Sequence, residues 1–197
     1  MANDTKVNAK YVTAAKPAVG GAVFRAPLGT PLPTSTTDPL NAAFKCLGYI
    51  STDGYGNTPG RTSESLTAWG GDTVLNSQTA SSDEHKFTLI EALNIEVQKT
   101  VFGDDNVSGD LESGMTVSYD GEQKADCAYV IDTILKGAAK RTVIPRASIT
   151  ALEEIPHKDN EPIAYGLTLS AVKDENGKYH YDYYKAAQPV TVNQQGV

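Results

Sequence analysis

The sequence predicts a mainly β fold, sandwich-like or barrel-like, with one short α-helix packed against the sheet. Three observations lead to this prediction. Short runs rich in aromatic and β-branched residues recur along the chain between glycine-rich, proline-rich and polar stretches. One stretch, residues 87–103 (FTLIEALNIEVQKTVFG), passes directly from a strand pattern to a helix pattern. The chain of 197 residues is 40% hydrophobic and 21% charged, which is typical of one ordinary globular domain.

The helix is predicted from the spacing of apolar residues after Asn94. Val97 and Val101 lie four residues apart and give a short helix one apolar stripe. Asn94 can cap the first free N–H groups, and Gly103 suits the position just past the last turn. We therefore expect Val97 and Val101 to pack against the sheet.

The start of this helix is open to a second interpretation. Thr88 and Glu91 have the spacing of a capping box, which would begin the helix several residues earlier. In a strand, Phe87 and Leu89 would lie on one face, with the intervening residues on the other. The strand is preferred for residues 87–90, because aromatic and β-branched side chains favour it.

The N-terminal half is predicted to contain short strands separated by long irregular segments. Residues 1–20 are small and polar, and they predict an arm that is ordered only if another part of the protein holds it. The three prolines of residues 27–33 exclude a paired strand there. Strands are predicted at residues 22–26, 44–52, 64–69 and 73–75, a turn at 70–72, and long polar loops at 53–63 and 76–85.

The C-terminal half is predicted to be β-rich after an acidic loop at residues 104–114. The pairs Asp120-Gly121 and Asn176-Gly177 are typical of hairpin turns. Pro145 is expected to interrupt a strand. Strands are predicted at residues 115–119, 124–135, 141–144, 147–155, 163–171 and 178–184. Residues 21–185 would then form one domain, followed by a C-terminal tail at 186–197.

No catalytic or cofactor-binding pattern occurs in the sequence, so we predict a non-enzymatic protein without a cofactor. His85, His157 and His180 fall in or near polar stretches and lack zinc-site spacing such as HExxH, so they are expected to be solvated. Residues 104–109 (DDNVSG) match the first half of a calcium loop, but Met115 replaces the glutamate of its twelfth position. We therefore expect no metal site.

The charge distribution suggests a contact between copies of the chain. The net charge of −7 argues against a protein that grips nucleic acid through its phosphates. Basic residues nevertheless crowd one predicted turn, and acidic residues crowd the loop after the helix. Unlike patches on one chain suit a charged contact between neighbouring copies, although a solvated turn with charges that protect a sheet edge is the alternative. The candidate interface residues are Lys136, Lys140, Arg141, Asp104, Asp105 and Asp110.

Six segments in a fixed order make the sequence recognisable. They are VFRAPLGTPLPTS (residues 23–35), AFKCLGYISTDG (43–54), LTAWGG (66–71), FTLIEALNIEVQKTVFG (87–103), VIPRASITALEEI (143–155) and PIAYGLTLSAVKDENG (162–177). The ordered set resembles the major tail protein, the tail tube subunit, of long non-contractile-tailed bacteriophages or related prophages. Many relatives add a C-terminal immunoglobulin-like domain, for which this sequence has no counterpart after Tyr184.

The resemblance implies a structural protein of the virion tail. Six subunits would close a ring, and rings would stack into a hollow tube around a tape measure protein, ending at a tail terminator. DNA would pass through the lumen without specific binding, and the subunit would reside in the host cytoplasm before assembly, away from membranes. The predicted loop at residues 53–63 and the N-terminal arm are the candidates for contacts between rings. The loop residues concerned are Gly54, Tyr55, Gly56, Asn57 and Gly60.

Two alternatives to this function stay open from the sequence. A soluble β-sandwich binding module, of the adhesin or receptor type, would account for a tyrosine-rich segment near the C-terminus. A tube subunit of a contractile tail or a secretion system would share the fold. The tyrosines concerned are Tyr179, Tyr181, Tyr183 and Tyr184.

Overall fold

A nine-stranded antiparallel sheet organises residues 7–186, the part of the chain that the computed structural model describes. The strands are β1 (Ala15–Pro17), β2 (Val23–Pro27), β3 (Lys45–Cys46), β4 (Ile50–Thr67), β5 (Thr73–Leu89), β6 (Val107–Ser108), β7 (Thr116–Val117), β8 (Cys127–Leu135), β9 (Ala138–Leu152), β10 (Tyr165–Ala171) and β11 (Tyr181–Ala186). One α-helix, α1 (Ile95–Phe102), and two short 3-10 helices, Ala9–Tyr11 and Asp104–Asn106, complete this part of the chain.

The strands of the sheet follow the order β3-β2-β8-β9-β10-β5-β4. Strand β1 also pairs with β8, and β11 also pairs with β9. Strands β6 and β7 form a separate two-stranded sheet. The prediction of a mainly β fold with one short helix is confirmed, and the sheet stays open instead of closing on itself.

Two apolar cores cover the two faces of the central strands. Alternate residues of β8 enter different cores: Tyr129 lies in the larger one and Val130 in the smaller one. This double burial explains why β8 has a nearly continuous apolar sequence. The larger core contains Ala22, Val23, Leu47, Phe87, Leu89, Val97, Val101, Cys127, Tyr129, Ile131, Ile144, Ala147, Tyr165, Leu167, Leu169 and Ala171. The smaller core contains Ala26, Phe44, Ala128, Val130 and Val143.

Helix α1 begins and ends where its capping residues predict. The Asn94 side chain accepts a hydrogen bond from the backbone N–H of Glu96 at 3.0 Å. Gly103 follows the last turn with φ +99°, a value that favours glycine. Val97 and Val101 are buried in the larger core, as predicted. The alternative of an earlier helix start is wrong, because residues 87–89 belong to β5.

The two long loops predicted at residues 53–63 and 76–85 are the largest error of the sequence analysis. Both segments are strands, and together they form most of the β4–β5 hairpin. Their side chains are largely polar or glycine, so neither segment shows apolar alternation. Backbone hydrogen bonds hold the two strands together although neither has a regular apolar face. The predicted turn at Gly70-Gly71 is confirmed, and both glycines have positive φ.

Several strand pairings also differ from the prediction. The strand at residues 115–119 shrinks to β7, which pairs with β6, so Asp120-Gly121 does not join it to β8. Pro145 does not interrupt β9, because Pro145 and Arg146 together lie opposite the single residue Ala128 in a bulge. The strand predicted at residues 44–52 is reduced to β3 and the first residues of β4.

The N-terminal arm is held by the sheet over part of its length. Strand β1 pairs with β8 from Ala15↔Leu135 to Pro17↔Thr133. The Thr13 hydroxyl also accepts a hydrogen bond from the Lys136 backbone N–H at 2.8 Å. The arm was expected to be ordered only if another part of the protein holds it, and pairing with β8 provides that support. Residues 1–6 of the arm and all but the first residue of the tail at 186–197 lie outside the described residues.

Candidate assembly surface

The β4–β5 hairpin extends beyond the folded body of the subunit. Every residue from 61 to 80 is exposed, and we call this segment the projecting hairpin. Successive strand residues point to opposite faces, so both faces of the projecting hairpin are open to solvent. At a rise of about 3.3 Å per residue, β4 extends roughly 23 Å from Gly60 to Thr67.

Apolar side chains are concentrated near the tip of the projecting hairpin. Trp69 is fully exposed next to the Gly70-Gly71 turn. Leu66 and Leu75, which face each other in the ladder, are 60% and 55% exposed, and Val74 is 61% exposed. Large apolar side chains grouped on a surface mark an interaction site. The tip therefore has the character of a contact surface.

Strand β4 is also an edge of the sheet. Its inner side pairs with β5, and no strand within residues 7–186 pairs with its outer side. An edge strand with free N–H and C=O groups is a template for pairing with another chain. The longest strand of the protein thus presents an open edge beside the exposed apolar tip.

The residues predicted to form an inter-ring loop lie instead at the root of this hairpin. Gly54, Tyr55, Gly56, Asn57 and Gly60 are all part of β4. The Asn57 side-chain amide donates to the Asp83 carboxylate at 2.6 Å, and the Tyr55 hydroxyl lies 2.6 Å from His85 Nδ1. Burial, supported by nearby carboxylates, raises the pKa of the Tyr55 phenol, so the hydroxyl stays protonated. These residues hold the hairpin root against β5, and the description of them as a loop is wrong.

Arg141, one of the six candidate interface residues, is buried within its own subunit. Its guanidinium forms a two-pronged ion pair with Asp132, with both N–O distances at 2.7 Å. The same group donates to the backbone carbonyls of Ser35 and Asp38 at 3.1 and 2.6 Å. Arg141 thus fastens the segment before β3 to the sheet, and it does not lie at a solvated turn.

Lys140 is also paired within the subunit. Its ammonium lies 2.8 Å from the Asp182 carboxylate and 5.4 Å from the centre of the Tyr184 ring. Burial acts to lower the pKa of Lys140, but the contacts with Asp182 and Tyr184 outweigh it and raise the pKa. The Lys140 side chain is therefore protonated, and its positive charge is balanced by Asp182 of the same subunit.

The remaining candidates divide into satisfied and available residues. Asp104 pairs with Arg25 at 2.7 Å, and the Asp110 carboxylate accepts hydrogen bonds from Ser113 at 2.7 Å. Lys136 and Asp105 are exposed, and neither makes an ion pair with any residue between 7 and 186. Lys136 and Asp105 are therefore the two candidate residues that remain for a charged contact between subunits.

Two of the three histidines were misjudged from the sequence. His157 is exposed as predicted, but His85 is completely buried and His180 is 22% exposed. Asp83 and His85 lie on the same face of β5 as Phe87, and all three are buried. The period-two pattern of residues 87–90 would have found this cluster if it had been extended backwards along the chain. Their geometry is described below.

An open sheet edge beside a projecting hairpin with an apolar tip is typical of a self-assembling structural subunit. Comparison with family models identifies the particular class. The model described as "Phage tail tube protein" matches residues 7–193, and the chain belongs to this family. This confirms the resemblance noted in the sequence. The family is structural, is located in the virion tail and assembles with itself into a tube.

No curated protein matches the chain. Among the helices of residues 7–186, none has the length and apolar character that crossing a bilayer requires.

Proposed function

We propose that this chain forms hexameric rings that stack into the hollow tube of a long non-contractile phage tail, through which DNA is ejected. Family membership supports the tube. The main support for this mode of assembly is the projecting hairpin, because its exposed faces and apolar tip require another protein surface to cover them. Its partner is another copy of the chain.

The hairpin depends on this partner for its order. A two-stranded hairpin alone is at best marginally stable in water. The projecting hairpin lies outside both cores, and its exposed tip includes Leu66, Trp69 and Leu75. Packing the tip on a neighbouring subunit removes this apolar surface from water and stabilises the extended ladder.

The open edge of β4 supplies a second contact. Backbone groups on this edge pair with a strand of the adjacent subunit, so that the sheet continues from one subunit to the next. Contacts between unlike surfaces generate a ring when the rotation closes. The hairpin tip and the β4 edge each contact a different surface of the neighbouring subunit, so both contacts are of this head-to-tail kind.

The acidic character of the subunit suits a passive conduit. A wall with the chain's net charge of −7 repels the phosphate backbone, so DNA moves through the lumen without being held. The tape measure protein inside the tube and the tail terminator at its end are the further partners, as the resemblance implies. Subunits accumulate in the host cytoplasm before they assemble.

Shortening the hairpin tests this proposal. Removing residues 63–66 together with 75–78 deletes four facing pairs of the ladder, from Ser63↔Gln78 to Leu66↔Leu75. This shortens the hairpin by about 13 Å and keeps the inward and outward alternation of the remaining residues. Negative-stain electron microscopy of the purified protein should show tubes for the wild type and isolated folded subunits for the variant. Tubes of normal length from the shortened variant would overturn the proposal.

A matched control uses the same microscopy. Leu111→Ala removes an exposed apolar side chain outside the hairpin and should leave tube formation intact. Class averages of end views count the subunits in each ring, and a number other than six would contradict the hexamer.

A further inference from the structure

We propose that Asp83, His85 and His180 form a binding site for a divalent transition-metal ion, with Zn²⁺ as the preferred ion. Asp83 and His85 are on β5, and His180 immediately precedes β11. Asp83 and His85 are two residues apart, but His180 lies 97 positions from Asp83, which explains why no metal-binding motif was visible. The site lies within one subunit at the root of the projecting hairpin, so its test does not depend on tube formation.

The three ligand atoms converge on one point. Asp83 Oδ2 lies 3.0 Å from His85 Nε2 and 2.5 Å from His180 Nδ1. All three atoms are within 4.8 Å of one another. Two imidazole nitrogens and one carboxylate oxygen are a ligand set that Zn²⁺ accepts, and a water molecule can complete a tetrahedron. Ligand atoms about 2.0–2.1 Å from a tetrahedral Zn²⁺ lie about 3.3 Å apart. Binding therefore lengthens the Asp83–His85 separation by about 0.3 Å and the Asp83–His180 separation by about 0.8 Å.

The atoms of Asp83 and His85 that face away from this point also have partners. Asp83 Oδ1 accepts a hydrogen bond from the Asn57 amide at 2.6 Å. His85 Nδ1 lies 2.6 Å from the Tyr55 hydroxyl. Metal sites commonly orient their ligands through such outer partners. The hairpin root therefore supplies both the ligands of β5 and, from β4, the groups that hold them.

His180 has an outer partner of its own. Its Nε2 atom lies 3.9 Å from the carboxylate of Asp182. A carboxylate behind a metal-bound histidine is a recurring arrangement that increases the basicity of the ligand. The same Asp182 carboxylate pairs with Lys140 at 2.8 Å, so Asp83 supplies the uncompensated negative charge of the site.

Metal binding requires a change of tautomer in each imidazole. Without an ion, His85 Nε2–H and His180 Nδ1–H can both donate to Asp83. On binding, each neutral ring gives up that proton, takes one up on its opposite nitrogen, and offers a lone pair to the ion. The new proton on His85 Nδ1 points at the Tyr55 hydroxyl oxygen, and the one on His180 Nε2 faces Asp182. The Tyr55 hydroxyl is within hydrogen-bond distance of the first proton, whereas Asp182 lies 3.9 Å from His180 Nε2 and accepts the second proton only after the His180 ring moves towards it.

The site can be reached from solvent. A surface pocket of about 530 Å³ includes Asp83 and His180 in its wall. His85 is fully buried behind them. An ion entering through this pocket would link β5 to the segment before β11 and fix the direction in which the projecting hairpin leaves the body.

Zinc titration of the full, untagged chain tests the proposal. Isothermal titration calorimetry with Zn²⁺ should give one ion per chain, and Co²⁺ should give the visible absorption of a tetrahedral site. His180→Gln should weaken Zn²⁺ binding by about 100-fold or more, and Tyr55→Phe by roughly 10- to 100-fold. The control His157→Gln changes the exposed histidine and should bind as the wild type does.

A measurement on the wild type alone tests the proposal even if the variants fail to fold. Imidazole nitrogen resonances in NMR spectra should shift for His85 and His180 on adding Zn²⁺, while those of His157 stay in place. No saturable binding by the wild type, unchanged affinity in His180→Gln, or a shift confined to His157 would each overturn the proposal.

Discussion

Strands β8 and β9 bury side chains on both faces of the sheet, whereas residues 61–80 of the projecting hairpin bury none. The two regions share the same antiparallel ladder of backbone hydrogen bonds. They differ in what covers that ladder. The body is stabilised by its own two cores, and the projecting hairpin has only the surface that a neighbouring subunit can offer. In the proposed mode of assembly, the stability of the subunit and its contacts with other subunits therefore depend on different parts of one sheet.

The same substitution in the two regions should show the largest difference. Val97→Asp places an unpaired charge in the larger core and should lower the free energy of unfolding by about 3–5 kcal/mol. Val74→Asp makes the identical change on the projecting hairpin and should stay within about 0.5 kcal/mol. Thermal melting followed by circular dichroism compares them. Equal midpoints for the two variants would mean that the helix face is not buried.

Arginine gives a second matched pair. Arg141→Ala leaves Asp132 without its partner in a largely buried setting and should cost about 3 kcal/mol. Arg61→Ala removes an exposed arginine of the hairpin and should change the free energy of unfolding by less than about 0.5 kcal/mol. Urea unfolding of both variants gives the difference. A small loss for Arg141→Ala would contradict its role in fastening the segment before β3.

Trp69→Ala should have the opposite effect to the substitutions in the body: it should impair assembly and leave the stability of the subunit unchanged. Its side chain makes no contribution to either core, so the unfolding free energy of the isolated subunit should change by less than about 0.5 kcal/mol. Tube formation should be lost, since large aromatic side chains dominate protein interfaces. Sedimentation separates tubes from subunits, and wild-type amounts of sedimenting tube would exclude the tip as a contact.

The smallest effect is expected from the charged contact. Lys136→Glu should weaken assembly, and Asp105→Lys in the same chain should partly restore it, if these residues meet on adjacent subunits. An exposed pair contributes only about 0–1 kcal/mol, and salt screens it. Light scattering at low and high ionic strength measures the change. Normal assembly of Lys136→Glu at low salt would mean that Lys136 is simply solvated.

Local patterns allowed the body to be predicted and the hairpin to be missed. Helix α1 has its cap, its apolar stripe and its terminal glycine within ten residues, so the sequence contains all the information needed. Residues 61–80 carry no such pattern, because no face of the projecting hairpin is covered by the subunit's own core. A strand whose partner surface belongs to another chain leaves little trace in its own alternation.

The polar clusters were hidden for a different reason. Arg141 and Asp132 lie on paired strands, and their contact depends on the register of β8 against β9. His180 reaches Asp83 across 97 positions of sequence. Spacing along the chain gives no indication of either contact, although burial of His85 was visible in principle from its alternation with Phe87.

Hydrogen–deuterium exchange of the β4–β5 hairpin, compared between isolated subunits and tubes, tests most directly whether assembly orders the hairpin. Amides of residues 61–80 should exchange rapidly in the isolated subunit, because few packed side chains protect them. Amides of β8 and β9 should be protected in both states. In tubes the projecting hairpin should become as slow as the body. Equal exchange of residues 61–80 in subunits and tubes would contradict the account.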